Sequence, residues 1–531
     1  MHFQRMNIMK RHAIILSFFL VFAGCQSGKN IIHYHDISNT LISLNNIRAN
    51  LEFLASDELE GRDTGSRGEA LAASYISSEL QKYGLKSYSD EGYWQWFNLS
   101  SYGFDKNSSF SLIDDHGNII HRLEYEIDFV GSAKYAGELD TTVSLVFAGY
   151  GITSEKYGYD DYDEIDVTGK VVLLYSGEPE SEDSSYFDGE RESPYASSLN
   201  KMMTAKEHGA IGAIILSGWE KDFGWDKIVS HMNKGVLRLN EKTDNKPGKK
   251  FPIVTINEQA METIFNHAKY SYQDLRSFVN SNSYLPKFEF DDKIKINWQI
   301  REQATVTSRN ILAVVEGLDP DLKHEYVAIG AHYDHIGMSG EDVYNGADDN
   351  ASGTVAIIEA GKALALTAKN KRSILIVLHS AEEKGLLGSK YLTDNLSVID
   401  NIIAYINLDM VGRGSSDSIY SIGSDKISYK FHRIIEEVNS ETVNLHFNYK
   451  FNDLSDPKRF YYRSDHYSYA RKGIPSVFFF DNAMEDCHKI TDDAYKINYE
   501  KVSRIADLTY NLALRLANMD ERFEVDDLVS R

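Results

Sequence analysis

Five short segments in the C-terminal part of the chain carry side chains that hold divalent cations or move protons. They are AHYDHIG (331–337), NGADDNASG (345–353), HSAEEKGLLGS (379–389), INLDMVG (406–412) and DCHKITDD (486–493). The first, third and fourth each close a run of β-type apolar residues, so each places a His, Glu or Asp at the C-terminal end of a strand. In open α/β sheets that edge is where ligands bind. Imidazole and carboxylate donors in one set, with no Cys among them, favour zinc or a similar divalent ion.

Each segment has a bland reading beside the chemical one. His332 ends its strand and Asp334 follows two residues on; a carboxylate there would hold the second nitrogen of a ligating imidazole and fix its tautomer. Otherwise His332 and His335 are an incidental surface pair. Asp348 and Asp349 lie in a Gly-Ala-Asp-Asp-Asn turn that opens a helix. Capping accounts for one of these polar residues, whereas a carboxylate with two oxygens can also bridge two cations. Glu382 and Glu383 could both be partners of a helix dipole. At a metal site the two acids divide the labour. One ligates, and the other takes a proton from water whose pKa the cation lowers to about 7, then delivers it to the leaving group. Asp409 ends the next strand, where an unpaired carboxylate is costly to bury. His488, in a loop past the Phe-Phe-Phe run, supplies a second imidazole. Two imidazoles and three carboxylates suffice for two ions with a shared bridge.

These side chains need a scaffold that brings distant segments together. With 531 residues, 42% hydrophobic and 25% charged, the chain is a folded protein of two to three domains. From Asn310 it alternates strands and helices: ILAVVEG, YVAIGAH, a helix from Ala351 to about Leu366, SILIVLH, a helix near 385–395, IIAYINLDM, a helix near 427–439, and PSVFFF. That order predicts a three-layer α/β sandwich with a mixed, largely parallel sheet. Upstream, apolar spacing at Leu41, Ile42, Leu44, Ile47, Leu51 and Leu54 predicts helix, and Gly65 to Leu85 predicts another with Gly84 as C-cap. Between them and the catalytic segments runs a β-rich unit with the strand patterns 141–152, 169–179 and 251–257, and the helix patterns 201–208 and 258–268. It holds no ligand-like cluster; His208 and His231 read as ordinary surface or loop residues. KIKINWQI (293–300) alternates like an edge strand.

The formal net charge of −23 repels nucleic acid and anionic membrane surfaces, which excludes both as substrates. Lys10 and Arg11 precede an apolar stretch, Ala13 to Ala23, too short to span a bilayer but laid out as a signal peptide. Phe22-Ala23-Gly24-Cys25 resembles the bacterial lipoprotein box. That resemblance implies lipidation of Cys25, a signal peptide over 1–24, and an exported, membrane-anchored lipoprotein on the periplasmic side or cell surface of a bacterium. The remaining cysteine, Cys487, is then alone, so no disulfide framework is expected.

Taken in order, AHYDHIG, YNGADDNASGT, SAEEKGLLGS, NLDMVG and the late His resemble the motifs of the co-catalytic zinc aminopeptidase family, which includes secreted bacterial leucyl aminopeptidases and glutamate carboxypeptidase. The resemblance implies two zinc ions, with His332 and Asp409 on the two metals respectively, Asp349 bridging, and Glu383 and His488 as the remaining terminal ligands. It implies Glu382 as general base and Asp334 as the residue that orients His332. LEFLASDELEGRDTGSRG (51–68) resembles the segment that opens the peptidase domain, and the middle stretch resembles the protease-associated domain inserted in some members. The implied partition is a tether over 25–38, an N-terminal part of the peptidase domain over 39–138, the inserted domain over 139–290, and the catalytic domain over 291–520. One departure stands out: some members have Tyr before the late His, where this chain has Cys487, a poor hydrogen-bond donor. Tyr461, Tyr462 and Tyr467 are candidate replacements.

The implied activity is hydrolysis of N-terminal residues from peptides by a metal-bridging hydroxide with a Glu base. Asp348, Asp465 and Glu485 are candidate partners for a substrate ammonium group. The rivals are a carboxypeptidase of the same fold and a non-catalytic binding lipoprotein. A carboxypeptidase needs an Arg fork for the terminal carboxylate, and Arg413, Arg459, Arg463 and Arg471 are within the late motifs. Arg463, before Ser464-Asp465-His466, is the most suggestive; with Tyr462 and Asp465 it makes up the expected substrate-binding set.

Overall fold

YVAIGAH and SILIVLH are apolar at nearly every position, the pattern of strands covered on both faces. The computed structural model describes residues 41–134, 137–183, 185–189, 192–216, 224–240, 251–281, 284–454, 456 and 458–526. In it those runs are neighbouring parallel strands at the middle of a large mixed sheet. Besides the two-residue strand Lys86–Ser87, the sheet comprises in chain order β1 (Trp94–Phe104), β2 (Val236–Leu239), β3 (Ile300–Val315), β4 (Tyr326–His332), β5 (Ser373–His379), β6 (Ile402–Leu408), β7 (Ser418–Ile422), β8 (His446–Asn448) and β9 (Ser476–Phe480). Its spatial order is β2-β1-β3-β5-β4-β6-β9-β7-β8. The four central strands, β5, β4, β6 and β9, run parallel, while β1, β2, β3 and β7 join by antiparallel pairing. The parallel character is therefore concentrated in the part of the sheet that carries the motifs.

Helices cover both faces. They are α1 (Leu44–Leu54), α2 (Arg67–Lys82), α3 (Gly353–Thr367), α4 (Leu387–Asn395), α5 (Tyr429–Glu441) and α6 (Tyr499–Ala517). The two-residue period of β5 divides its side chains. Ile374, Ile376 and Leu378 enter a core with Leu51, Ile76, Ile358, Ile435 and Leu508, one from each of α1, α2, α3, α5 and α6. Leu375 and Val377 enter a second core with Leu392 of α4 and Tyr469. Each fully buried aliphatic side chain contributes about 1.5–3 kcal/mol, so the sheet is held from both sides. Ser43 and Ser66 cap α1 and α2 by accepting the N–H groups of Asn46 and Glu69. Gly84, just past α2, takes φ +79°, as a C-terminal glycine should.

A second sheet has eight strands, in spatial order 119–123, 109–113, 287–298, 139–148, 171–174, 212–216, 253–256 and 129–131. Lys287–Trp298 pairs on both sides, with Ser109–Ile113 and Leu139–Ala148, so KIKINWQI is not an edge strand. Its alternation reflects one buried face, with Ile294, Ile296 and Trp298 inside. Strands at 109–131, which the sequence partition assigns to the first domain, belong to this second sheet, and β2, from within 139–290, pairs with β1 in the first. Periodicity reports which face of a strand is buried; it does not report the partner. The segments expected as signal peptide and tether, with Cys25, lie wholly outside the described residues. Among the described residues no helix is long and apolar enough to cross a membrane.

Candidate metal centre

Parallel register decides which motifs meet. His332 pairs with His379, and Gly330 pairs with Asn407, so the C-terminal ends of β5, β4 and β6 align. Asp409 thus arrives beside His332. The loop that opens α3 crosses above this edge and brings Asp349. Non-glycine residues with left-handed backbone sit at or beside the donors: Ala381 before Glu382 (φ +57°), Met410 after Asp409 (φ +53°) and His488 itself (φ +56°). Such conformations gather where a fold aims particular side chains.

His332 Nε2 lies 3.3 Å from Asp409 Oδ1 and 3.4 Å from Asp349 Oδ1. The other oxygen of Asp349 lies 3.3 Å from His488 Nε2, which is 2.9 Å from Glu383 Oε2. Bonds of about 2.0–2.2 Å to tetrahedral zinc put neighbouring donor atoms about 3.3–3.5 Å apart. The His332–Asp349–Asp409 group matches that spacing. Its ligand atoms all lie within 4.8 Å of one another, and Asp349 is shared with further groups that include His335, Glu383, Cys487 and His488. Asp349 therefore turns one oxygen to each side. His332 and Asp409 stand together on one side of it, which corrects the expectation that they serve different metals: β4 and β6 are paired neighbours, so their ends cannot part. Burying this many carboxylates is expensive without a cation among them, so the donor set fits a divalent metal.

Electrostatics separates the two adjacent glutamates. Burial, reinforced by Asp409, Glu383 and Asp465, pushes the Glu382 carboxyl well above its usual range, against the pull of His332. Burial would raise Glu383 as well, but hydrogen bonds from His335 and His488 hold it well below. Burial alone would lower His332; Asp409, Glu382 and Asp349 instead hold it well above its ordinary value. Glu382 stands back from the donors, its Oε2 3.9 Å from His332 Nε2, and lines the neighbouring cavity.

The supporting residues hold the loops in detail. The His332 Nδ1 faces the backbone carbonyl of Asp334 at 3.1 Å, with the Asp334 carboxylate farther off at 3.7 Å. That carboxylate accepts the Glu382 N–H at 3.1 Å and the Thr64 hydroxyl at 3.2 Å. Asp334 thus ties the end of β4 to the Glu382 loop, and its main chain, more than its side chain, meets His332. Burial lifts the Asp334 carboxyl to about 7. Ser464 donates to Asp409 Oδ2 at 2.6 Å. Asp492 accepts the N–H groups of Asp348 and Asp349 at 3.0 Å each.

Several candidate residues are placed elsewhere than the sequence suggested. Asp348 is buried and turned away from the donors: its Oδ1 accepts the Gly412 N–H at 2.7 Å, and burial with Asp481 and Asp492 pushes it well above the usual carboxylate range. Asp465 is fully buried behind the centre, where burial lifts it to about 7, and it does not line the cavity. Glu485 is exposed and also outside it. Arg413 is paired with Asp486, and Arg471 with Asp394. Arg463 does line the cavity, its guanidinium 5.0 Å over the Phe460 ring. Of the three tyrosines, Tyr462 alone lines it, together with Cys487, whose thiol burial pushes up to about 11.

The cavity beside the donors measures about 280 Å³. Glu382, Asp409 and His488 line it together with the apolar side chains of Leu386, Met410, Phe460, Phe478, Phe480 and Met484. A slightly larger cavity of about 300 Å³, under Tyr88 and Trp94, holds none of the donor residues.

Two residues at the centre were not assigned from the sequence. Arg62, fully buried, donates from Nε to Tyr333 O at 2.8 Å, from Nη1 to Asn345 O at 2.7 Å and from Nη2 to Gly346 O at 2.9 Å. It clamps the loop after β4 to the loop before α3. A lone Arg in a glycine-flanked turn gives no signal of this. His335, read as a possible surface residue, is fully buried against Glu383.

The fold is thus a parallel-centred α/β sandwich with a mixed His and carboxylate cluster at its strand ends, a donor set that fits a divalent metal. Residues 310–513 match the model of Peptidase family M28. A protein described as a probable leucine aminopeptidase, from Trichophyton verrucosum, is 29% identical over 214 residues, covering 38% of this chain and 57% of its own length. Leucine aminopeptidase 1 of Ajellomyces dermatitidis is 31% identical over 223 residues, covering 38% of this chain and 55% of its own. The chain thus spans a little over half the length of these curated relatives. Among solved structures, an aminopeptidase from Aneurinibacillus sp. strain AM-1 shares the fold with a TM-score of 0.53 at 20% identity, over 94% of this chain and 98% of that one. A zinc aminopeptidase from Bacillus subtilis does so with a TM-score of 0.52 at 18% identity, over 92% and 99%.

Proposed function

We propose that the protein is a zinc-dependent aminopeptidase that removes N-terminal residues from peptides. The observation that carries this reading is the shared Asp349, one oxygen toward His332 and Asp409 and the other toward His488, with Glu382 set back at the cavity. His332, Asp349 and Asp409 would hold one ion, and Asp349, Glu383 and His488 a second. Bound zinc supplies Lewis-acid polarisation of the scissile carbonyl and acidifies water. Glu382 accepts a proton on its carboxylate and returns it to the leaving amine. Its neighbours Asp409 and Glu383 favour the protonated form, which suits the second half of that cycle. The apolar lining of the cavity would take the side chain of the N-terminal residue, and Tyr462, which also lines it, would donate to the developing oxyanion.

The similarity to proteins described as leucine aminopeptidases is why the aminopeptidase reading ranks first. Arg463 in the same cavity supports the second reading, a carboxypeptidase. One peptide blocked two ways separates them. The N-acetylated form should resist cleavage and the C-terminally amidated form should be cut. The reverse pattern would reject the aminopeptidase assignment in favour of Arg463 gripping a terminal carboxylate.

A further inference from the structure

We propose that His335 is a positioning residue for the second metal site: its Nδ1–H donates to Oε1 of Glu383 and so leaves Oε2 free to face His488 and the ion. The inference rests on the two-ion reading above. His335 Nδ1 lies 2.9 Å from Glu383 Oε1, while His488 Nε2 lies 2.9 Å from Glu383 Oε2. One carboxylate is thus flanked by two imidazoles, each on its own oxygen, with ring centres 5.7 Å apart. His335 is wholly buried, whereas the His488 side chain is half exposed. The buried ring belongs to the scaffold side and the exposed one to the cavity side.

His335 shares a candidate ligand group with Asp349 and Glu383, but it is the imidazole least like a ligand. Its Nδ1 stands 4.0 Å from the nearer oxygen of Asp349, farther than the 3.3 and 3.4 Å that separate the donors around His332 and the 3.3 Å between Asp349 and His488. The ring is also held in place. Its backbone N–H donates to Arg62 O at 3.2 Å. A Cβ added at Gly346 (φ +54°) would come within 2.5 Å of the ring, so only glycine leaves room for it. A buried carboxylate with one oxygen already satisfied loses rotational freedom before the ion arrives, which is how groups behind a ligand raise metal affinity by about 10–100-fold.

The test is zinc titration of the full mature chain against a competing chelator, with the thermal melt followed in parallel. The wild type should bind two ions; if it binds fewer, the two-ion reading fails rather than this inference. His335→Phe keeps the ring and removes the donor, and should weaken the second ion by about 10–100-fold with the first unchanged. His335→Asn, whose amide nitrogen stands as many bonds from Cβ as Nδ1 does and so reaches the same oxygen, should stay within a few-fold of wild type. Wild-type affinity in His335→Phe, or equal loss in His335→Asn, overturns the proposal. If the Phe variant does not fold, His335→Leu replaces it: with no donor, it should weaken the second ion while Asn does not, and equal affinities in those two variants overturn the proposal.

Discussion

Replacing Glu382 by Gln lowers kcat by about 10²–10⁴-fold, the contribution of a positioned acid–base group, and leaves zinc content unchanged. The geometry supports both halves. Glu382 belongs to none of the candidate ligand groups, and its Oε2 stands 3.9 Å from His332 Nε2. Its backbone N–H, which donates to Asp334, is untouched by the substitution, and Gln keeps the shape of the side chain. The effect should appear in kcat and kcat/KM together, because the lost interaction exists only in the transition state. Kinetics on a short apolar peptide, paired with metal analysis of the same preparation, checks this. Activity within a factor of a few of wild type, or loss of metal, would remove Glu382 from the role of base.

The second large effect distinguishes two adjacent acids. Asp349→Asn should abolish detectable hydrolysis and lose zinc from both positions, because both groups share that carboxylate. Asp348→Asn should keep both ions and most of the activity. Burial with Asp481 and Asp492 favours the neutral form of Asp348, which an amide imitates, and an amide oxygen can still accept the Gly412 N–H. The backbone N–H groups of both residues continue to donate to Asp492. Metal content of the two purified variants decides the matter. The opposite pattern, with metal lost from Asp348→Asn alone, would exchange the two assignments.

The donor types and their strand-end positions were legible because they rest on local patterns: an apolar run, then a polar residue where the run stops. YVAIGAH, SILIVLH and IIAYINL are that case. What was hidden depends on partners far away in sequence. KIKINWQI has the alternation of any strand with one buried face, and nothing in it announces neighbours at 109–113 and 139–148. Which donors share an ion was hidden for the same reason, since the pairing of β4 with β6 puts Asp409 beside His332. Arg62 acts on carbonyl groups more than 270 residues ahead, and backbone acceptors leave no trace in composition. Asp465 was a candidate partner for a substrate ammonium, yet at the start of a short helix it is fully buried while Arg463 lines the cavity. Asp348 and Asp349 are alike in type; only the fold sends one to the donors and the other to Gly412.

The most direct test of the two-ion centre is the metal content of the wild-type chain set against its activity. Zinc measured by mass spectrometry should reach two ions per chain. Removal by a chelator should abolish peptide hydrolysis, and stepwise return of zinc should restore it as the sites fill. Undiminished hydrolysis by chain stripped of metal would contradict the account.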